Sequence, residues 1–268
     1  MSPITDSSTA FVLVHGAWHG AWCFERLTPR LVSRGFTVVA RDLPTRGADA
    51  AADADSVLAS IGALRAAGHR RVLLLGHSMG CVVLHAVGER APAKVDALIY
   101  LAGAMPASDV PPGAYFALPE SASARVNPVL VGDPLETGVF RIDPHNAAPA
   151  YRAALRDAFY NDAEEADFEA ARLCLSSDMP LAQGATPTAL SAGRWGAVER
   201  HYILCERDHA VPPDLARRYI ADADALNPGN ATRVHALDTG HSPFLTAPDA
   251  LADCLAGIAE SNAFTPSP

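Results

Sequence analysis

The segment Gly76-His77-Ser78-Met79-Gly80 decides how the rest of the chain is interpreted. An apolar segment of strand length, residues 71–75, comes directly before it, and a segment long enough for a helix, Cys81–Arg90, follows it. A strand, a G-x-S-x-G turn and a helix in that order are typical of a nucleophile elbow, which holds a serine hydroxyl out of a sheet. We expect the two glycines because a Cβ atom beside the serine would clash and because glycine tolerates unusual backbone angles. The alternative is an inert serine on a glycine-rich turn.

The composition is that of a globular chain. Its 268 residues suffice for one α/β domain that carries an insertion, and 49% hydrophobic with 19% charged residues allow a sizeable core. A net charge of −9 without a run of lysine or arginine argues against nucleic acid and anionic membranes as partners. No apolar run could span a bilayer, and the polar N-terminus does not look like a signal peptide. The five scattered cysteines lack a C-x-x-C, so we expect free thiols and a cytoplasmic location.

Apolar segments of strand length alternate with helical segments over most of the chain. The predicted strands are residues 11–14, 36–40, 73–75, 95–101, 201–205 and 233–237. The predicted helices run to about residue 34 and over 53–67, 81–90, 213–220 and 248 to about 260. Strands that are apolar throughout and separated by helices are typical of a parallel sheet covered on both faces. We therefore predict an α/β fold with a mostly parallel six-stranded sheet.

The alternation stops over residues 104–197, which we call the cap segment. It shows no strong strand, and helical patterns lie near 150–160 and 164–175. We expect a helical cap inserted into a core domain made of residues 1–103 and 198–268. Tyr151, Leu155 and Phe159 recur every fourth residue, and we expect this stripe to pack against the core rather than contact substrate. Residues 264–268 are expected to form a frayed tail.

A serine nucleophile needs a base that takes its proton and an acid that orients the base. In a parallel sheet the loops after the strands gather at one edge, so these partners should follow strands. Asp208 follows the predicted strand that ends at Cys205, and His241 lies in the loop after the last strand. The chain order Ser78, Asp208, His241 is that of a known hydrolytic triad. Asp238 could support the loop of the base.

Other residues could fill these roles. Asp109 follows the fourth strand and is the best alternative acid, although the acid normally follows a later strand. His209 lies beside the predicted acid and could compete as the base. His77 is expected to point away from the serine, whereas His15 and His19 should frame the loop after the first strand.

Two backbone N–H groups should stabilise the negative oxygen of the reaction intermediate. One belongs to Met79, directly after the serine, and the other to Ala17 in the loop after the first strand. Gly16 is expected to keep that loop slim enough for a substrate to approach. Trp18 and Phe116 could wall the acyl pocket, with burial in the core as the alternative. We predict no metal and no cofactor, because the chain lacks metal-ligand spacings and nucleotide-binding glycine motifs.

Six segments together resemble one group of known proteins. They are FVLVHGAWHGAWCF (11–24), GHSMG (76–80), FYND (159–162), YILC (202–205), DHAVP (208–212) and GH (240–241). The group is part of the α/β-hydrolase superfamily and contains plant methylesterases, plant hydroxynitrile lyases and their bacterial relatives. The resemblance spans nearly the whole chain and implies the α/β-hydrolase fold.

Two positions separate the reactions within that group. Its lyases carry Thr directly after the first histidine of the motif and Lys directly after the catalytic histidine, where this chain has Gly16 and Ser242. The resemblance therefore implies hydrolysis of a carboxylic ester, with methyl esters among the candidates, through an acyl-enzyme on Ser78. We expect a small to medium, largely apolar ester as the partner. A lyase or cyclase acting on a biosynthetic intermediate is the alternative, and a binding protein with a vestigial triad is a third. The oligomeric state is left open, a homodimer included.

Overall fold

A computed structural model gives the structure of residues 8–261. Eight strands lie in this range: β1 (Thr9–Val14), β2 (Thr37–Arg41), β3 (Arg71–His77), β4 (Ala97–Leu101), β5 (Val139–Arg141), β6 (Asp178–Pro180), β7 (Glu199–Cys205) and β8 (Arg233–Leu237). Six of them form one sheet in the order β2-β1-β3-β4-β7-β8, and all its neighbouring pairs are parallel. The predicted six-stranded sheet is confirmed and is parallel throughout. The tail predicted at 264–268 lies outside the described residues.

Ten α-helices flank the strands in the same range. They are α1 (Thr28–Ser33), α2 (Ala50–Ala66), α3 (Cys81–Arg90), α4 (Pro134–Thr137), α5 (Pro149–Phe159), α6 (Glu165–Cys174), α7 (Ala182–Ala185), α8 (Pro213–Asp224), α9 (Pro243–Thr246) and α10 (Pro248–Ser261). Helices α1 and α10 cover one face of the sheet, and α2, α3 and α8 cover the other. This double covering explains why the strands lack alternating polar residues.

Successive strand residues point to opposite faces, so each strand supplies both layers of the core. Phe11 and Leu73 pack on the side of α1 and α10, whereas their neighbours Val12 and Leu74 pack on the side of α2 and α3. Each of these four side chains is at most 1% exposed. Burying one such side chain contributes roughly 1.5–3 kcal/mol relative to leaving it in water. The buried strands thus fix the position of the sheet edge from which the site loops emerge.

One predicted helix differs from the structure. The sequence predicts one helix running to about residue 34, whereas a short 3₁₀ helix at Ala21–Phe24 is followed by α1, which begins only at Thr28. Pro29 occupies the first turn of α1, where its missing N–H leaves no helical hydrogen bond unmade. In the interior of a longer helix the same proline would break a hydrogen bond, so a new helix begins here.

The cap segment lies between β4 and β7 and holds α4 to α7. It also contains β5 and β6, which pair antiparallel and which the sequence did not predict, although the expectation of no strong strand in this segment stands. Each of these strands has three residues, too few for a period of two to be recognised. Leu155 and Phe159 of the predicted stripe are buried in the core layer on the α2–α3 side. The division into core and cap stays a prediction.

Candidate active site

The turn between β3 and α3 places Ser78 in an unusual backbone conformation. Its φ is +54°, in the left-handed region that non-glycine residues rarely adopt. Such a conformation persists only where the surrounding structure holds it, and it is frequent at functional sites. The flanking strand and helix are almost entirely buried, whereas Ser78 itself is partly exposed. The turn therefore presents the serine hydroxyl at the edge of the sheet.

The two glycines of this turn avoid steric clashes that any larger residue would cause. A Cβ on Gly76 would lie 2.6 Å from Leu84 Cδ1, and a Cβ on Gly80 would lie 2.1 Å from the carbonyl oxygen of His15. Neither glycine is among those with positive φ, so the expectation that they provide unusual backbone angles is wrong. The strained angle falls on the serine, and the glycines allow the neighbouring backbone to approach it.

Asp208 and His241 are joined by a buried hydrogen bond. The Nδ1 atom of His241 lies 2.8 Å from Oδ2 of Asp208, and the two residues are 1% and 3% exposed. The other carboxylate oxygen, Oδ1, accepts the N–H groups of Ala210 at 2.7 Å and Val211 at 2.9 Å. Since the carboxylate accepts, Nδ1 carries the proton, and Nε2 is the ring nitrogen that can act as a base.

His77 connects His241 to the turn that carries Ser78. Its Nε2–H donates to the carbonyl oxygen of His241 at 3.0 Å, and the two ring centroids are 4.7 Å apart. Burial lowers the pKa of His77 well below its ordinary value, so this ring is neutral. Within residues 8–261 no hydrogen bond joins the Ser78 hydroxyl to His241. Such contacts often tighten only when substrate binds.

The alternative residues are occupied elsewhere. Asp109 is exposed, and in the described part of the chain it has no hydrogen bond to a histidine. Asp238 forms an ion pair with Arg207 at 2.8 Å rather than a contact with His241. His209 turns to Asp157 of the cap segment, with its Nδ1 3.0 Å from the carboxylate. Among these candidates, the structure pairs only Asp208 with His241.

The loop after β1 is held by two histidines. Nδ1 of His15 lies 2.9 Å from the Gly16 carbonyl oxygen, and Nδ1 of His19 lies 2.7 Å from the Ala17 carbonyl oxygen. The Gly16 carbonyl and the Ala17 N–H share one planar peptide group, so fixing the carbonyl also orients the N–H. No hydrogen bond of the Ala17 N–H is found among the described residues. This amide is available to a ligand.

Gly16 and Met79 both lie next to Ser78. A Cβ on Gly16 would be 2.8 Å from the Ser78 Cβ, so glycine lets the β1 loop approach the serine closely. Met79 follows the serine in a 3₁₀ turn that leads into α3. Amides at the start of a helix lack partners within it, which makes them donors for anions. Gly16 lies beside the serine and does not line the cavity described next.

An apolar cavity of about 180 Å³ opens beside Ser78. Trp18 and Phe116 line it; Trp18 is 8% exposed, whereas Phe116 is 43% exposed and therefore not a core residue. Trp18 is at the same time part of the buried core layer on the α2–α3 side, so the core alternative is excluded only for Phe116. Contact of either side chain with an acyl group stays a prediction. Other large side chains on its wall include those of Leu130, Phe140, Phe159, Met179, Val211 and Tyr219. The wall favours apolar ligands.

Several wall residues come from the cap segment and were missed in the sequence. Phe140 and Met179 belong to the two short strands, and no pattern in the sequence marks them as facing a cavity. Phe159 lies on the predicted stripe but has a second contact besides the core. Its ring is 5.5 Å from Trp18 and 5.9 Å from His241. Of the stripe, Phe159 therefore both packs on the core and borders the site.

Two further features concern the whole described range. Across residues 8–261, no three His, Cys, Asp or Glu side chains are grouped so that they could hold a metal ion. No helix of the same range has the length and apolar character needed to cross a membrane. The absence of a cofactor and the cytoplasmic location stay predictions.

Comparison with known proteins decides the family. The sequence pattern of the alpha/beta hydrolase family matches residues 11–254. The chain belongs to this family. Norfluorocurarine synthase 1 of Strychnos nux-vomica is 30% identical over 266 residues, covering 93% of this chain and 95% of the relative. Methylesterase 7 of Arabidopsis thaliana is 29% identical over 277 residues, covering 96% and 99%.

Solved structures of this α/β hydrolase family show the same fold. A pyrethroid hydrolase from Sphingobium faniae JZ-2 superposes with a TM-score of 0.81 at 23% identity, covering 96% of this chain and 99% of that one. Polyneuridine aldehyde esterase gives a TM-score of 0.74 at 23% identity, covering 94% and 99%. The resemblance drawn from the sequence is confirmed, and the chain is an α/β hydrolase with esterases among its relatives.

Proposed function

We propose that the protein is a serine hydrolase that cleaves a carboxylic ester through an acyl-enzyme on Ser78. One observation carries the proposal: the strained turn presents Ser78 to an apolar cavity, and the buried Asp208–His241 pair is anchored to the same turn through His77. A serine hydroxyl is a weak nucleophile, and an adjacent oriented imidazole is what activates it.

The geometry supports a two-step reaction. Nε2 of His241 takes the proton of Ser78 while Oγ bonds to the ester carbonyl carbon, and Asp208 stabilises the imidazolium. The carbonyl oxygen, now negative, accepts the N–H groups of Ala17 and Met79, each worth about 3 kcal/mol in the transition state. His241 then protonates the departing alcohol. Water, deprotonated by His241, attacks the acyl-enzyme and releases the acid.

The substrate class follows from the cavity. Its wall is almost entirely apolar, so a small to medium ester with an apolar acyl group fits best. Trp18 and Phe116 would contact that group. The methylesterases among the relatives make methyl esters the first alcohols to try. No nucleic acid or membrane is part of the proposal.

A burst experiment tests the proposal. Wild type should release p-nitrophenol from p-nitrophenyl acetate in a burst and should be labelled by a fluorophosphonate probe, since both require an activated serine. Ser78→Ala should lose both, while Ser33→Ala, which removes an exposed hydroxyl on α1, should keep both. Normal turnover by Ser78→Ala would overturn the assignment. A panel of methyl, aryl and thioesters then ranks the substrates.

A non-hydrolytic reaction on the same scaffold is the second candidate. It is supported by the relatives named norfluorocurarine synthase, whose name does not describe a hydrolysis. One α/β-hydrolase site can support several reactions. Gly16 and Ser242 stand against a lyase of the hydroxynitrile type. Reaction in ¹⁸O-labelled water distinguishes the candidates: label in an acid product marks hydrolysis, whereas a rearranged product without label marks a lyase or cyclase.

A further inference from the structure

The turn between α5 and α6 touches all three loops of the proposed site. It carries Tyr160, Asn161 and Asp162, which are consecutive in the chain and belong to the cap segment. We propose that this tripeptide is a positioning element that holds the Ala17 loop, the Asp208 loop and the His241 loop in register. The inference rests on the proposed function. None of the three residues lines the cavity, so they act through the loops and not on the substrate.

Tyr160 holds the loop that offers the Ala17 N–H. Its hydroxyl lies 2.8 Å from Nε2 of His19, whose Nδ1 lies 2.7 Å from the Ala17 carbonyl oxygen. A carbonyl can only accept, so Nδ1 carries the proton. Burial lowers the pKa of His19 to about 3, which keeps the ring neutral and makes Nε2 an acceptor. The Tyr160 hydroxyl must therefore donate, and this chain of two bonds sets the orientation of the loop.

Asn161 holds the loop that carries the acid. Its Nδ2 donates to the carbonyl oxygen of Arg207 at 2.9 Å, one residue before Asp208. The Arg207 N–H in turn donates to the carbonyl oxygen of Thr239 at 2.9 Å, which lies in the loop of the base. The two loops are thus joined to each other and to the cap segment at the same point.

Asp162 holds the loop that carries the base. Its Oδ2 accepts the N–H of Gly240 at 2.7 Å, directly before His241, and the Thr246 hydroxyl at 3.2 Å. The Asp162 side chain is 9% exposed, so water competes little for these bonds. A Cβ on Gly240 would lie 2.1 Å from Asn161 Oδ1 and 2.7 Å from Asp162 Oδ1. Only glycine allows the loop to lie this close to the tripeptide.

The test uses conservative variants of the full-length enzyme. Tyr160→Phe removes the bond to His19, and Asp162→Ala removes the bonds to the Gly240 N–H and the Thr246 hydroxyl. Asp162→Asn keeps an amide oxygen that can accept the Gly240 N–H. Matched controls lose equivalent bonds elsewhere in the cap segment. Tyr151→Phe removes a hydroxyl that donates to the Val129 carbonyl oxygen, and Asp133→Ala removes a carboxylate that accepts the Leu135 N–H.

The variants of the tripeptide should lower kcat and leave KM almost unchanged. A misplaced loop lowers the rate of the chemical step, so kcat for p-nitrophenyl acetate should fall about 10- to 100-fold in Asp162→Ala and several-fold in Tyr160→Phe. KM should stay within about twofold, because the cavity is unchanged. Asp162→Asn should recover most of kcat. The rate of fluorophosphonate labelling should fall in proportion to kcat. The two control variants should have the kcat, the labelling rate and the thermal midpoint of wild type.

The proposal is overturned if folded Asp162→Ala and Tyr160→Phe keep kcat near wild type, or if Tyr151→Phe and Asp133→Ala lower it equally. If Asp162→Ala does not fold, the nearly isosteric Tyr160→Phe decides by the same comparison. A wild type that fluorophosphonate does not label contradicts the proposed function itself. A labelled wild type with unaffected variants contradicts only the positioning role.

Discussion

The six-stranded sheet and the cap segment are built in different ways. The sheet consists of contiguous apolar strands, with Leu73, Leu74 and Leu75 at 0% exposure, joined by a continuous parallel ladder. The cap segment consists of short helices, 3₁₀ turns and two strands of three residues. Hydrophobic burial therefore dominates the sheet. The proposed chemistry thus lies on loops of the regular, buried sheet, whereas the irregular cap segment supplies much of the cavity wall.

Arg–carboxylate pairs occur in both regions; Arg30 and Asp249, 2.7 Å apart, form one outside the cap segment. The cap segment carries several Arg–carboxylate pairs at its surface, among them Arg141–Asp178 at 2.6 Å and Arg152–Glu169 at 2.6 Å. Another, Arg26–Asp167 at 2.5 Å, joins α6 to the core. Exposed pairs contribute little individually and depend on pH and salt. The contribution of one such pair to stability should consequently be small and should depend on pH.

The largest effect should come from the sheet loops. Asp208→Asn removes the carboxylate that orients His241, and kcat for p-nitrophenyl acetate should fall about 10⁴-fold because the amide favours the wrong histidine tautomer. Asp109→Asn, which changes the alternative acid, should leave kcat unchanged. The reverse pattern would show that the acid lies at the end of β4 and not of β7.

A substitution in the elbow should come next. Gly80→Ala places a Cβ 2.1 Å from the His15 carbonyl oxygen, and the overpacking should lower the free energy of unfolding by about 3 kcal/mol. Gly62→Ala, on α2 with no atom within 4 Å of the added Cβ, should raise it by about 0.5–1 kcal/mol. Urea unfolding measures both. Equal stability of the two variants would contradict the close packing of the elbow against the β1 loop.

A smaller effect is expected on the cavity wall contributed by the cap segment. Phe116→Ala removes a half-exposed ring, so KM for an aryl ester should rise about fivefold, equivalent to about 1 kcal/mol of apolar contact, with kcat retained. Val131→Ala changes an exposed apolar residue that does not line the cavity and should leave KM alone. A fall in kcat without a change in KM would mean that the cap segment acts on chemistry at this position as well.

The smallest effect is expected on thermal stability at acidic pH. Hydrogen bonds from Arg172 and Arg152 lower the pKa of Glu169 from 4.5 to about 2. A lowered folded-state pKa stabilises above pH 4.5, and this contribution is lost as the pH falls towards 2. The thermal midpoint of wild type should therefore drop slightly more over this range than that of Glu169→Gln. Glu25→Gln, whose carboxylate forms no ion pair in the described range, should keep the wild-type slope; identical slopes in all three would contradict the role of the pair.

The predictable part of the site is the part that lies on strand ends. Ser78, Asp208 and His241 each follow an apolar strand, and parallel strands bring their carboxyl ends to one edge, so their gathering was visible in the sequence. Phe140 and Met179 were not visible as wall residues, because three-residue strands leave no periodic pattern. The segment containing Asp162 contributes to the family resemblance, but no pattern in the sequence indicates a role for it.

The sequence by itself determined the parallel sheet and the sharp turn at Ser78, because burial of apolar strands and the space that glycine leaves are properties of neighbouring residues. Only the tertiary structure decided which polar groups meet. Tyr160 and His19 are 141 positions apart, and Asp162 and Gly240 are 78 apart. Whether such groups come within 3 Å depends on the path of all the chain between them. Hydrogen bonds need that precision, whereas hydrophobic burial tolerates less exact placement.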